Sequence, residues 1–297
     1  MTKTSHNEKQ IVSKTICADM VYSDDHNRYL TTLFVDKDKR RSLLALYAFN
    51  IEISKVVDSS KEPLVNQIKL QWWRDSLEGL NTGLVAKHPV IEELSKLLTH
   101  HKVDLDDLLM MIEARNNELM DKTPKTLDAL IEYCRQTAGT LNRLSLQILK
   151  NGDHHSHSNQ GHSKQDHSNQ AENLGTAWGL IGIIRAISFH ATAQRCFIPD
   201  ALLEDANIKI EDLYKGEFSP QFSQAIQPIC EKAEDILKQA ITSVPKDDKC
   251  AFLLAPLARN YISRLKASSY DIQKVDFESG NISRLMRLTR AALLGRL

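Results

Sequence analysis

The sequence predicts an all-α fold, and three observations carry that prediction. Turn-forming residues are scarce, with 11 glycines and 8 prolines in 297 residues, while Leu, Ile, Ala, Lys, Gln and Glu recur throughout. Low punctuation among good helix formers favours long helices. Apolar residues return three and four positions apart over most of the chain, and no stretch alternates apolar with polar residues between hairpin turns.

The elements follow in order. Residues 1–20 read as an N-terminal tail and 21–297 as a single domain. Leu43, Leu44, Leu46, Tyr47, Ile51 and Ile53 fall at helical spacings, so a helix is predicted over Arg40–Val57. Pro63 suits the first turn of the next helix, which closes near Gly79 or Gly83. Further periodic segments cover 89–100, 104–120, 126–150, 171–191, 219–243, 248–268 and 281–296. Residues 152–170 break the pattern. Asp153 to His167 hold five histidines and no apolar residue, which predicts a disordered surface insertion between two helices. Opportunistic binding of zinc, copper or nickel is the alternative there, although the spacing fits no closed site.

Composition narrows the function classes. The chain is long enough to bury a large core without staples. Its 38 Lys and Arg balance 38 Asp and Glu, so no global charge excess draws it to nucleic acid. Cys17, Cys134, Cys196, Cys230 and Cys250 are odd in number, widely spaced and without a CxxC pair. That pattern suits structural thiols in a reduced compartment. The first residues have no apolar run, lack Arg and include Glu8, so neither a signal peptide nor a transit peptide is expected. No apolar stretch approaches bilayer length. A cytoplasmic chain is expected, with peripheral membrane contact left open.

Two segments have the spacing of an acidic-motif framework. The first runs from Leu46-Tyr47-Ala48-Phe49 to Asp58, followed by Gln71-Trp72-Trp73-Arg74-Asp75. The second runs from Leu174-Gly175 to His190, followed by Arg195-Cys196-Phe197-Ile198-Pro199. Between them stand Tyr133-Cys134 and Ala138-Gly139. In order and spacing these resemble the squalene/phytoene synthase family, from about Arg28 to the C-terminal helices and interrupted by the histidine tract. The resemblance implies an isoprenoid-synthase-type helical bundle around a central cavity. Carboxylates four apart share one helix face and can share magnesium. Two such helices facing each other ionise a prenyl diphosphate.

Carried over residue by residue, the resemblance exposes a departure. Ser54 and Asp58 fall where the first acidic pair belongs, and Ala186 and His190 where the second belongs. Glu52 is near Asp58 but off its helix face. A diphosphate carrying about three negative charges relies on the metal cluster, since unlike charges ~4 Å apart attract by about 4 kcal/mol at an intermediate dielectric. No catalytic residue, no metal site and no cofactor are therefore expected. For His190, ligation of a softer metal stands beside a partly buried, hydrogen-bonded helix residue.

Within the family, Ala48-Phe49-Asn50-Ile51-Glu52 replaces the usual aromatic-cysteine-arginine entry. With Gln71-Trp72-Trp73 and Val275-Asp276-Phe277 it resembles a non-catalytic branch that includes a mitochondrial assembly factor for respiratory complex I (NADH:ubiquinone oxidoreductase) and bacterial relatives. That implies a helper for building the complex, partnered by a complex I subunit or assembly intermediate. It also implies a bacterial member or trimmed chain, or a matrix protein if eukaryotic. Tyr47, Asn50, Glu52, Gln71, Trp72, Arg185 and Arg195 are the implied positions for a prenyl lipid or diphosphate ligand. For Arg185 and Arg195, direct phosphate or head-group binding stands beside structural ion pairing. For Trp72, Trp73 and Trp178, cavity lining stands beside helix packing.

The C-terminal segment sets Arg284, Arg287 and Arg290 three apart, with Leu285, Leu288 and Leu293 at other angles. This is a basic amphipathic helix, suited to an anionic membrane or to docking on the domain. Two other functions stay open: a prenyl transferase joining prenyl diphosphates head to head, with Mg2+ on Glu52, Asp58, Asp75 and Glu78, and a prenyl-lipid carrier.

Overall fold

The computed structural model describes residues 15–120, 123–150, 161–242, 244, 246–277 and 280–294, and no strand occurs among them. Of the tail predicted at 1–20, residues 1–14 lie outside the described residues. Residues 15–24 are helical (α1), because Cys17 and Val21, four apart on one face, are both fully buried. A short α2 (His26–Thr32) follows, capped by the Asp25 side chain, which accepts from the Arg28 backbone N–H.

The long helices match their predicted spans closely: α3 (Lys37–Asp58), α4 (Pro63–Asn81), α5 (Pro89–His100) and α6 (Leu105–Met120). Pro63 and Pro89 open α4 and α5, where a missing N–H costs nothing. Three predicted helices are divided. Segment 126–150 is α7 (Leu127–Cys134), one π-helical turn (Arg135–Gly139) and α8 (Thr140–Lys150). Segment 171–191 is α9 (Gly161–Arg185), a break at Ala186 and α10 (Ile187–Thr192). Segment 248–268 is a 3-10 turn (Lys246–Phe252) and α14 (Ala255–Ala267). Short α11 (Asp200–Asp205) and α12 (Ile210–Tyr214) were not foreseen, while α13 (Phe222–Ala240) and α15 (Asn281–Leu294) were.

The insertion predicted as disordered at 152–170 is helical in its C-terminal part. Residues 151–160 lie outside the described residues, but 161–170 belong to α9. Two side-chain anchors hold this polar turn. His167 lies 3.1 Å from Asp248, and Gln170 donates to the Thr242 carbonyl.

The chain forms two compact units, one built from α1–α6 with α8 from Leu144 onward, the other from α7, the π turn, the start of α8 and α9–α15. In the first, α3 packs against α2, α4 and α5 and buries Leu46, Phe49 and Ile53 completely. A polar clamp joins α3 to α5. Arg41 donates twice to the buried Glu93 carboxylate, at 2.5 and 2.9 Å, and Lys96 reaches the same group at 2.7 Å. Asn66 of α4 ties the end of α3 by donating to the Val57 and Ser60 carbonyls.

In the second unit α9 is the hub, contacted by α7, the π turn, α13 and α14. Its approach to the π turn is unusually close. A Cβ on Gly175 would overlap the Ala138 carbonyl oxygen and come within 2.8 Å of the Asn142 Cβ. A Cβ on Gly139 would meet the Thr176 hydroxyl at 2.7 Å. The Ala138-Gly139 motif is therefore a packing requirement: only small residues let these backbones touch.

Candidate functional site

The first motif lies on an unbroken helix. Ser54 is half-buried, and its hydroxyl donates to the Ile51 carbonyl of its own turn at 2.8 Å. Asp58 is the exposed last residue of α3. Glu52 is half-buried near Cys17 and His88; burial raises the Cys17 pKa and lowers that of His88, and the Glu52 charge adds to the first and opposes the second. Tyr47 is buried beneath the Arg28 guanidinium, 5.7 Å from its ring, and hydrogen-bonded to Ser145 and Thr31. Burial raises its pKa. Asn50 is half-buried on the same helix.

The α4 positions diverge. Gln71 donates to Asp75 at 2.7 Å and, with Arg74, Ile112 and Glu113, lines a hollow of about 400 Å³. Trp72, turned about 100° away, is 42% exposed and edge-on to Trp73 and His88, at 5.1 and 5.5 Å. Trp73 is a packing residue, buried against Phe49 at 5.7 Å. Gln71 and Trp72, adjacent in sequence, thus face different surroundings.

The second motif is interrupted where its first acidic position falls. The α9 helix ends at Arg185, and Ala186 (φ −96°, ψ 7°) is the N-cap residue of α10 without a side-chain cap. His190 is half-buried with its ring 4.7 Å from Phe197 and 5.6 Å from the exposed Phe189. Arg195 lies over the same Phe197 ring at 4.9 Å, and Tyr133 packs against it at 5.6 Å. Aromatic packing occupies the place of the second acidic pair. Arg195 stacks on this ring.

Arg185 has its own surroundings. Its guanidinium lies 4.5 Å from the Tyr261 ring and 5.8 Å from Trp178, both buried, a cation–π arrangement. Tyr261 in turn neighbours Phe277 at 6.2 Å. The Arg185 Nε and the Tyr261 hydroxyl are buried with no hydrogen-bond partner among the described residues. Trp178 is a packing residue. Sequence reasoning missed Tyr261, because an aromatic residue in an amphipathic segment reads simply as core, and it gave Phe197 only as part of a motif.

These donors do not suit magnesium. Mg2+ demands oxygen ligands in near-octahedral array. The four motif positions supply a hydroxyl already donating to its own helix, one carboxylate, a methyl and an imidazole. Among the described residues no three His, Cys, Asp or Glu side chains converge as metal ligands would. The replacements Glu52, Asp58, Asp75 and Glu78 share no such site, and Asp75 already accepts from Gln71.

All five cysteines are free thiols. Burial pushes Cys17 and Cys230 to about 12 and Cys196 to about 11, so these three stay protonated and unreactive. No helix among the described residues is long and apolar enough to cross a membrane.

A model of the squalene/phytoene synthase family matches residues 22–288, and the chain belongs to that family. Its fold is that of the family's solved members. A dehydrosqualene synthase in complex with ligand superposes with a TM-score of 0.77 at 18% identity, covering 97% of this chain and 99% of that one. The all-α, isoprenoid-synthase-type architecture expected from the motifs is thereby established.

Two relatives place the chain more finely. It is 26% identical to the mouse (Mus musculus) protein named "NADH dehydrogenase (ubiquinone) complex I, assembly factor 6" over 273 residues, 91% of this chain and 79% of that one. It is 23% identical to a chloroplastic phytoene synthase of an Oncidium hybrid cultivar over 248 residues, 82% of this chain and 58% of that one.

Proposed function

We propose that this protein is a catalytically degenerate squalene/phytoene synthase-like protein that assists assembly of respiratory complex I and works without a metal cofactor. One observation carries the reading: the four positions of the acidic pairs hold a single carboxylate, and the second pair has become aromatic packing around Phe197. The likeness to assembly factor 6 over 91% of the chain supports the choice of complex I. The partner is a complex I subunit or assembly intermediate. The protein works as a peripheral protein of the inner membrane, on the cytoplasmic side in a bacterium or the matrix side in a mitochondrion.

Of the positions implied for a prenyl lipid or diphosphate ligand, Arg185 has the most support. Its charge rests against two buried rings, and its buried N–H suits a phosphate oxygen. Tyr47, Asn50, Glu52, Gln71, Trp72 and Arg195 belong to the same proposal. Tyr47, Gln71 and Arg195 already contact Arg28, Asp75 and Phe197 respectively.

A deletion strain tests the reading directly. NADH-driven quinone reduction is expected to fall while carotenoid or hopanoid content stays normal; the reverse result overturns it. Purified protein given farnesyl or geranylgeranyl diphosphate with magnesium is expected to release no pyrophosphate above background. Turnover would restore the prenyl transferase reading.

A further inference from the structure

The terminal helix α15 carries two different faces. Leu288 and Ala291 are buried, and α15 packs on α14. The face predicted to meet a membrane included Leu288, so that residue belongs to the docked side instead. Arg284 turns the same way and its Nε is buried. Docking and membrane contact are thus not alternatives for this helix, because docking consumes only one side of it.

The opposite side is apolar and open. Ile282 is 77% exposed, Met286 65% and Leu293 80%. At 100° per residue these three fall within about 40° of one another, a continuous stripe. Arg290 borders it, about 40° from Met286, and Arg287 lies about 60° further round on the same side; both are exposed, and Asn281–Leu294 contains no acidic residue. In a chain whose net charge is zero, this is a local concentration of positive charge beside exposed hydrocarbon. A protein groove would satisfy the stripe alone. An anionic bilayer surface satisfies both features at once, taking the apolar residues into the acyl boundary and the arginines among the head groups.

We infer that α15 is a membrane-lying helix, seated on anionic lipid through Ile282, Met286 and Leu293 with Arg287 and Arg290 at the phosphates. The inference rests on the peripheral placement proposed above and names the surface that achieves it. Because the opposite face is already docked on α14, the helix is folded before it meets lipid, so little ordering entropy opposes binding.

Flotation of the full chain with vesicles tests it. Vesicles of phosphatidylethanolamine with about one-third phosphatidylglycerol are expected to carry the protein, while phosphatidylcholine vesicles do not, and 0.5 M NaCl is expected to release it. The double variant R287Q/R290Q is expected to partition about 30-fold more weakly. The triple variant I282S/M286S/L293S is expected to lose binding by a similar factor or more. All five positions are solvent-facing, so circular dichroism and thermal midpoints are expected to match the parent. If the parent binds and the triple variant binds equally well, the assignment of this face is overturned while peripheral placement stands. If the parent binds neither vesicle, both are overturned. A solution dimer that the triple variant dissociates, with no vesicle binding by the parent, assigns the stripe to a second copy instead.

Discussion

The two former acidic motifs have degenerated in different ways. The first remains part of an intact 22-residue helix, with Ser54 donating to the Ile51 carbonyl and Asp58 exposed. There the helix is continuous and a single carboxylate remains at the two positions. The second holds no carboxylate, its helix breaks at Ala186, and His190 and Arg195 lie on Phe197. The two segments thus differ in backbone as well as in side chains. At the second, Phe197 supplies an aromatic surface that the first does not have.

Substitutions sharpen or break this comparison. The largest effect is expected at the crossing that holds the second motif's helix in place. Gly175→Ala puts a methyl onto a backbone oxygen that cannot move alone, and should cost about 3 kcal/mol or more, read as a drop in the urea midpoint. Gly182, on the same helix with nothing within 4 Å of its would-be Cβ, is the control. Gly182→Ala should stabilise by up to about 1 kcal/mol through helix propensity, and equal losses at both glycines would argue against close packing as the cause.

His190→Asp restores a carboxylate into aromatic surroundings and removes the ring on Phe197. We expect a loss of about 1–2 kcal/mol in denaturant titration. Tyr261→Phe removes a buried hydroxyl with no partner among the described residues, so the thermal midpoint should rise, by an amount equivalent to about 1 kcal/mol. A fall instead would mean that the hydroxyl has a partner.

A smaller, pH-dependent effect belongs to the first unit. Burial lowers the pKa of His88, whose Nδ1 accepts from the Val90 N–H at the start of α5. The unfolded chain therefore takes up this proton more readily than the folded one. Stability should fall as pH drops below about 6.5 and level off once the folded histidine is also charged. His88→Asn keeps a cap and should remove that part of the dependence, measured as midpoint against pH. The smallest effect is expected from Ser54→Asp. Restoring the acid on an intact, half-exposed helix position should change stability by less than about 0.5 kcal/mol. A cost matching that of His190→Asp would erase the distinction between the two motifs.

Much of this was legible along the chain. The long amphipathic helices could be bounded because their apolar periodicity and opening prolines are local signals, as at Pro63 and Pro89. The loss of the acidic pairs was equally visible, since the identities of residues 54, 58, 186 and 190 are facts of sequence alone. What local pattern could not decide was how neighbours distant in sequence rearrange a segment. The π turn at Arg135–Gly139 and the helical 161–170 segment each meet partners elsewhere, Gly175 for the first and Asp248 and Thr242 for the second, and the break at Ala186 has no local signal. The same holds for direction. Helical spacing gave Leu285, Leu288 and Leu293 comparable standing on α15, and only its packing on α14 decided that Leu288 is buried and Leu293 exposed, because burial is set by where the neighbouring helix lies and not by the residue itself.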